Sequence, residues 1–396
     1  MLAQTHRDER KSTVKIVCTA SLLEYERAIE KVIQPGDKIL EIASQLKETT
    51  NKLIEIASEG EVVGIDMARK LKTNKGKNKD AGSKKMYRTG NEEPAPSPPP
   101  PPAAGEEEEA QGGREERRRR AAFSFREVRD PLDARELLDA GQDFTAVCVD
   151  ASIAAGNDLL LDGLALTGLL EALYRPTLRV VVVKSRALTE HAQTYLNTRQ
   201  YFSYLQQGQQ AFLKNLPFKV ICVTGVEQYR EVIPTVLEAK DRVLEIGCHS
   251  GLSTMMIQQH LNNIRCQKNE EKEGFAIGID IGPKIVALAQ KNHPEVRYEV
   301  GDAWDTAGLQ RLCPVGEVGG FTCIFVDVGG LSGPDGLLEA VALVRQLRSG
   351  FPELHTIVIK SRCLRDHTSK LVVANRDLFS YGLGRAPKEM RSSSTA

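Results

Sequence analysis

The chain has 396 residues, 41% of them hydrophobic, and its 53 basic and 53 acidic side chains cancel. That length supports two domains of ordinary size, each with its own core, and a net charge of zero names no polyanionic or membrane partner. No apolar run approaches the roughly 18 to 20 residues of a membrane helix, and MLAQTHRDERKST carries no secretory apolar stretch, so no membrane association is expected.

In chain order, KIVC from Lys15 reads as a strand, followed by the amphipathic LLEYERAIEKVIQ and a second strand, ILEIAS. EVVGID, FSFREV, FTAVCVD and VVVVK continue the strand series. The segment 71–120 breaks it with a proline run, a glutamate block and an arginine block. Such a composition cannot bury enough apolar surface to order itself, so a disordered insert is expected. Residues 197–218 read as a connection, helical in part.

The series then starts again. The stretch from Lys15 aligns without gaps, at an offset of 204, with KVICVTGVEQYREVIPTVLEAKDRVLEIGC from Lys219. Further blocks match in the same order: EVVGIDMARK with FAIGIDIGPK, FSFREVRDPLD with VRYEVGDAWD, FTAVCVDAS with FTCIFVDVG, VVVVKSRALTEH with HTIVIKSRCLRDH, RQYFSY with RDLFSY. Six matched blocks in order indicate a tandem duplication. The expected organisation is a first domain over 14–204, a linker over 205–217, a second domain over 218–382 and a tail over 383–396. The two copies are expected to pack on each other. Near-continuous apolar strands (RVLEIG, FAIGID, CIFVD, TIVIK) alternating with helices indicate an α/β fold: two tandem doubly wound, mostly parallel sheets. The N-terminal strand of each copy is expected to form the sheet edge that a closing hairpin would otherwise fill.

In the second copy EIGCHSG, Glu245 to Gly251, ends a strand and opens a helix. Gly247 would permit a sharp turn, and Gly251 would let a ligand approach the helix N-terminus. Asp280 ends the next strand, where an acid can accept hydrogen bonds from ribose hydroxyls. EIGCHSG, GIDIGP, EVGDAWD and FVDVGG, in this order over about Asp241 to Arg362, resemble the four motif positions of the class I (Rossmann-like) S-adenosylmethionine-dependent methyltransferases. The resemblance implies S-adenosylmethionine as cofactor. Glu245, Gly247 and Gly251 would form the loop around its methionine and ribose, lined by Cys248, His249 and Ser250. Asp280 would take the ribose hydroxyls and Ile281 would pack on the adenine, while Asp302 and the Ala303 backbone would read its amino edge. Asp327 would face the methyl-transfer centre. Each acid has a plainer reading as a helix cap, and His249 as a solvated loop residue.

The place after the fourth strand reads D-V-G-G-L from Asp327, unlike the pattern of nucleobase amino methyltransferases. Lys360 ends the next strand where catechol-type enzymes need an Asp-Asn pair, so no metal site is expected. Asp327 and Lys360 match two of the four working residues of ribose 2'-O-methyltransferases, with Lys360 as a hydroxyl base; packing and ion pairing are its structural alternative. RNA is one candidate acceptor.

In the first copy Ala43 and Lys47 stand where the second has Gly247 and Gly251, while Asp66, Asp130 and Asp150 match Asp280, Asp302 and Asp327. The first copy therefore reads as a degenerate domain that kept the fold and lost the cofactor. The competing reading is a non-catalytic scaffold in both halves. Eight scattered cysteines without C-x-x-C point to a reducing compartment, cytoplasmic or nuclear.

Overall fold

The computed structural model describes residues 14–42, 47–67, 121–130, 132–154, 158–268, 274–313, 320–331, 333 and 336–374. The expected insert 71–120 and the tail 383–396 lie outside the described residues, as does Ala43.

Strands of the first half are β1 (Lys15–Thr19), β2 (Lys38–Ile42), β3 (Glu61–Met67), β4 (Ala122–Val128), β5 (Ala146–Asp150), β6 (Val180–Lys184) and β7 (Tyr195–Asn197). The second half repeats them as β8 (Lys219–Val223), β9 (Arg242–Ile246), β10 (Phe275–Asp280), β11 (Arg297–Val300), β12 (Cys323–Val326), β13 (Thr356–Lys360) and β14 (Leu371–Val373). Central strands such as VVVVK and KVICV are buried on both faces. Helices cover them with matched apolar stripes: Tyr25, Ala28, Ile29 and Val32 in the helix Leu22–Val32, and Tyr229, Val232, Ile233 and Val236 in Val226–Val236.

Two seven-stranded sheets result, ordered β14-β1-β6-β5-β2-β3-β4 and β11-β10-β9-β12-β13-β8-β7. Every strand pairing among the described residues is parallel. Read from opposite ends the two orders are the same, as tandem duplication would produce. Local chemistry repeats too. Thr145 Oγ1 donates to Asp37 at 2.8 Å, and Thr322 Oγ1 to Asp241 at 2.8 Å.

The sheets do not follow the sequence boundary at 204/218. β7 belongs by sequence to the first half, yet it pairs with β8, setting Tyr195 opposite Val220 and Asn197 opposite Cys222. β14 returns the exchange, setting Ile16 opposite Leu371 and Cys18 opposite Val373. The N-terminal strand of each copy therefore lies beside β6 or β13, and not at the edge; the edge is a strand from the other half. Sequence patterning passed over β7 and β14 because three residues carry too little periodicity.

The exchange is buried. Leu371 and Val373 join one face of the first core and Val372 the other, while Tyr195 and Leu196 divide likewise between the faces of the second. Lys370 Nζ reaches both Glu171 oxygens at 2.7 and 2.8 Å, and Lys15 Nζ donates to the Ser369 carbonyl at 2.9 Å. Where the helices preceding the two exchanged strands meet, the His191 and His367 rings lie with centroids 5.7 Å apart. Neither ring nitrogen of His191, nor Nε2 of His367, has a hydrogen-bond partner. Burial pushes His191 down to about 3, helped by the charges of His367 and Arg345. Burial, with Lys370, pushes His367 down to about 4.

Two outcomes follow. Val372→Asp places a carboxylate in a fully buried position, and hydrogen exchange should show β1 losing protection while β9 and β12 keep theirs; protection unchanged in β1 contradicts the exchange. Both histidines are neutral when folded, and each has a folded pKa below the unfolded value of about 6.5. Their contribution is complete above that value and is lost as pH falls toward 4 and then 3. At pH 5 each costs about 2 kcal/mol, so a His191→Gln/His367→Gln variant should lose less stability between pH 7 and pH 5 in denaturant titrations.

Candidate functional site

In the second sheet β9 is followed outward by β10 and β11 on one side, and β12 and β13 lie on the other. The strand order thus reverses between β9 and β12, and ligands of open α/β sheets bind outside the carboxyl ends at such a switch point. The segment after β9 there is Gly247–Gly251, which opens the helix Leu252–Lys268.

Three residues of this loop hold left-handed backbone: Gly247 at φ 86°, His249 at φ 47° and Gly251 at φ 82°. A side chain would be strained at both glycines whatever the space. Space is also lacking. A Cβ on Gly247 would lie 2.1 Å from the Asp327 carbonyl oxygen, and one on Gly251 would lie 2.6 Å from the Tyr298 hydroxyl. Tyr298 fills the space and donates to the Gly251 carbonyl at 2.9 Å. The glycines let the loop lie against β11 and β12, and they are required by protein packing.

The other expected residues take distinct places. Glu245 is buried beneath the loop, accepting from the Tyr229 hydroxyl at 3.2 Å and from Thr254 Oγ1. Burial raises it to about 7. Its contacts are those of a brace. Cys248 is buried as well, its thiol pushed up to about 12 by burial, with Glu245 and Asp280 adding to the effect. His249 is exposed and Ser250 half-buried; the Ser250 carbonyl accepts from Asn292 at 3.2 Å.

Asp280, at the carboxyl end of β10, accepts from its own turn through Gly282 N–H at 3.0 Å and from the His249 N–H across the loop at 3.4 Å. It joins the second strand to the loop of the first. Asp302 accepts from Trp304 N–H at 2.9 Å, and Asp130 in the first half accepts from Leu132 N–H at the same distance. Ala303 is buried. Asp327 follows β12, its N–H bonded to the Ile246 carbonyl at 2.8 Å, and forms an ion pair with Lys360 Nζ at 2.5 Å. The structure thus brings the two candidate catalytic residues together, at the ends of neighbouring strands. Asp150 and Lys184 form the same pair in the first half.

Exposed apolar side chains line the same ends of β10 and β11. Ile281 is 72% exposed, Val300 53% and Trp304 47%. Sequence reading singled out Ile281 and missed Trp304, whose signal is the only tryptophan of the chain placed in a polar run after a strand. It also missed Thr254, which the repeat announces. Glu41 in the first half accepts from Thr50 Oγ1 at 2.6 Å, with the same nine-residue spacing. Glu41 likewise is raised to about 7 by burial. A cavity of about 590 Å³ lies at the opposite end of the sheet, against Phe275, Ala276 and Arg297 at the starts of β10 and β11. It has no part in this site.

No protein-family profile and no curated protein matches the chain. Solved structures similar to it include a TehB-like S-adenosylmethionine-dependent methyltransferase from Corynebacterium glutamicum. That match has 16% identity and a TM-score of 0.22, covering 39% of this chain and 70% of the other. Phosphoethanolamine N-methyltransferase 2 of Haemonchus contortus, solved with S-adenosyl-L-methionine, matches at 13% identity and a TM-score of 0.21, covering 89% of this chain and 79% of that one. At such scores the alignments add nothing to the topology already described.

Gly247→Ala should cost at least ~1–2 kcal/mol from backbone strain alone, and more from the overlap with Asp327. Chemical denaturation should show a clear loss of stability, whereas a variant as stable as the wild type contradicts the loop geometry.

Proposed function

We propose that the second half binds S-adenosylmethionine at the switch-point loop and transfers its methyl group to an acceptor. The observation that carries this reading is the loop Gly247–Gly251 itself. Held by left-handed glycines between β9 and β12, it is tied through the His249 N–H to the one carboxylate, Asp280, that ends the adjacent strand. Beside it stand Ile281, Val300 and Trp304, apolar surface suited to a purine face.

The residues present fit that cofactor. Asp280 would take the ribose hydroxyls, with its free lone pairs turned from the Gly282 and His249 N–H groups. Ile281 and Trp304 would flank the adenine, and Cys248, His249 and Ser250 would run beside the methionine portion. The cofactor supplies an activated methyl group on a sulfonium, and the chain's task is to hold a nucleophile in line with it. Asp327 and Lys360 stand at the switch point for that task. As the free amine, its ammonium proton given up to solvent, Lys360 would receive the proton of an acceptor hydroxyl, and Asp327 would hold the ammonium that results; an RNA ribose or another hydroxyl is the acceptor class such a pair can serve.

The first half keeps the sheet and the Asp150–Lys184 pair, but its sequence replaces both glycines. We read it as a partner that carries no cofactor. The chain would work wherever its acceptor is, in cytoplasm or nucleus.

Titration calorimetry with S-adenosylmethionine should show binding. Asp280→Ala, which removes a charged acceptor, should weaken it roughly 10-fold or more, and Trp304 fluorescence should change to saturation with the same midpoint. No heat and no fluorescence change would return the chain to the scaffold reading. Lys360→Met should abolish methyl transfer to RNA while leaving cofactor affinity intact, and Lys184→Met should leave both unchanged. Equal loss of stability in the two variants, with transfer retained, makes the ion pair structural.

A further inference from the structure

The two sheets end in unlike edges. β11 is four residues long, and Arg297 and Glu299 on it form an ion pair at 3.1 Å. β7 and β14 have three residues each. Short, charged edges are the usual protection against pairing with another chain. β4 has seven residues, pairs over all seven with β3, and has no partner on its outer side among the described residues. It carries no lysine or proline, and it exposes Phe123 and Phe125, 46% and 50% accessible, on one face.

In the second half the corresponding face is covered. Val63 lies opposite Ser124, and Ile277, which the repeat matches to Val63, lies opposite Arg297. Phe123 and Phe125 therefore correspond to Val296 and Tyr298. Those two are buried under Val286 and Ala289 of the helix Pro283–Asn292.

We propose that β4 is the surface through which two copies of this chain associate, pairing antiparallel about a two-fold axis at Ser124. Antiparallel neighbours directly opposite each other share a face, and this symmetry keeps the faces of the two sheets continuous only when the axis passes through a residue. With the axis at Ser124, Phe123 of one copy faces Phe125 of the other, twice, so all four rings enter cross-strand aromatic pairs. Arg126 then faces Ala122, and Glu127 faces Ala121, so no like charges oppose. With the axis at Phe125 a single ring pair forms, and Phe123 meets Glu127. With the axis at Arg126 no rings pair. Charge and aromatic pairing select one register. Arg126 does not obstruct it, because its guanidinium is already turned to the Asp139 carbonyl of its own half. Joined this way, the first sheets of two copies form one sheet of fourteen strands.

The test uses the full chain. Sedimentation equilibrium should give a dimer in exchange with monomer, and Phe125→Glu should give monomer with an unchanged circular dichroism spectrum. Opposed α-carbons of an antiparallel pair lie about 4.5–5.5 Å apart, within disulfide reach. Ser124→Cys should therefore yield a covalently linked dimer on mild oxidation, whereas Glu127→Cys, opposed to Ala121, should not, which separates this link from the eight native thiols. The cysteine pair keeps the proposal testable even where Phe125→Glu impairs folding. A wild-type monomer at every concentration overturns the proposal, as does a dimer that survives Phe125→Glu and links no better through Ser124→Cys than through Glu127→Cys. Protection of Phe125 from labelling in a monomer would also overturn it, and would assign the face to another segment of the same chain.

Discussion

The constraint on which the molecule depends is the reciprocal exchange of its last strands. Neither half completes its own sheet: β14 closes the first against β1, and β7 closes the second against β8. Each exchanged strand sends alternate side chains to both faces of the core that receives it, so the two halves share their hydrophobic energy. At the crossing, two histidines are held neutral by burial, and Lys370 and Glu171 join the sides. This gives a physical role to a first half whose sequence lacks both loop glycines. If the first half were deleted, the second sheet would lose an edge strand and expose Val220 and Cys222.

The two halves share one sheet geometry. In both, a buried glutamate under the first loop is braced by a threonine nine residues on, and an aspartate–lysine pair bridges the strands beside it. The braced glutamate belongs to the fold in both halves, and the aspartate–lysine pair is present in both. What differs at the switch point is the chain between brace and helix, which in the second half reaches left-handed angles at Gly247 and Gly251. The proposed function rests on that difference, and on the apolar side chains beside Asp280.

Much of this was legible in the sequence because the signals were strong. Long β-branched strands, matched amphipathic helices and the repeat itself fixed an α/β reading with two sheets, and Asp280, Asp327 and Lys360 do stand at the strand ends where the motifs put them. Three kinds of information were not legible. Strands of three residues give no periodicity, so the exchange was invisible, and with it the true sheet edges. A glycine motif reports that a Cβ is excluded but not by what; at Gly251 the answer was Tyr298, 47 residues away. An acid in a motif can face a ligand or the core, and burial put Glu245 on the side of the core.

The most direct measurement of the central claim is photo-crosslinking of radiolabelled S-adenosylmethionine to the intact chain, followed by peptide mapping. The account predicts label in peptides carrying the Gly247–Gly251 loop and the Asp280–Trp304 region. Label in residues 15–67, or none that unlabelled cofactor displaces, would contradict it.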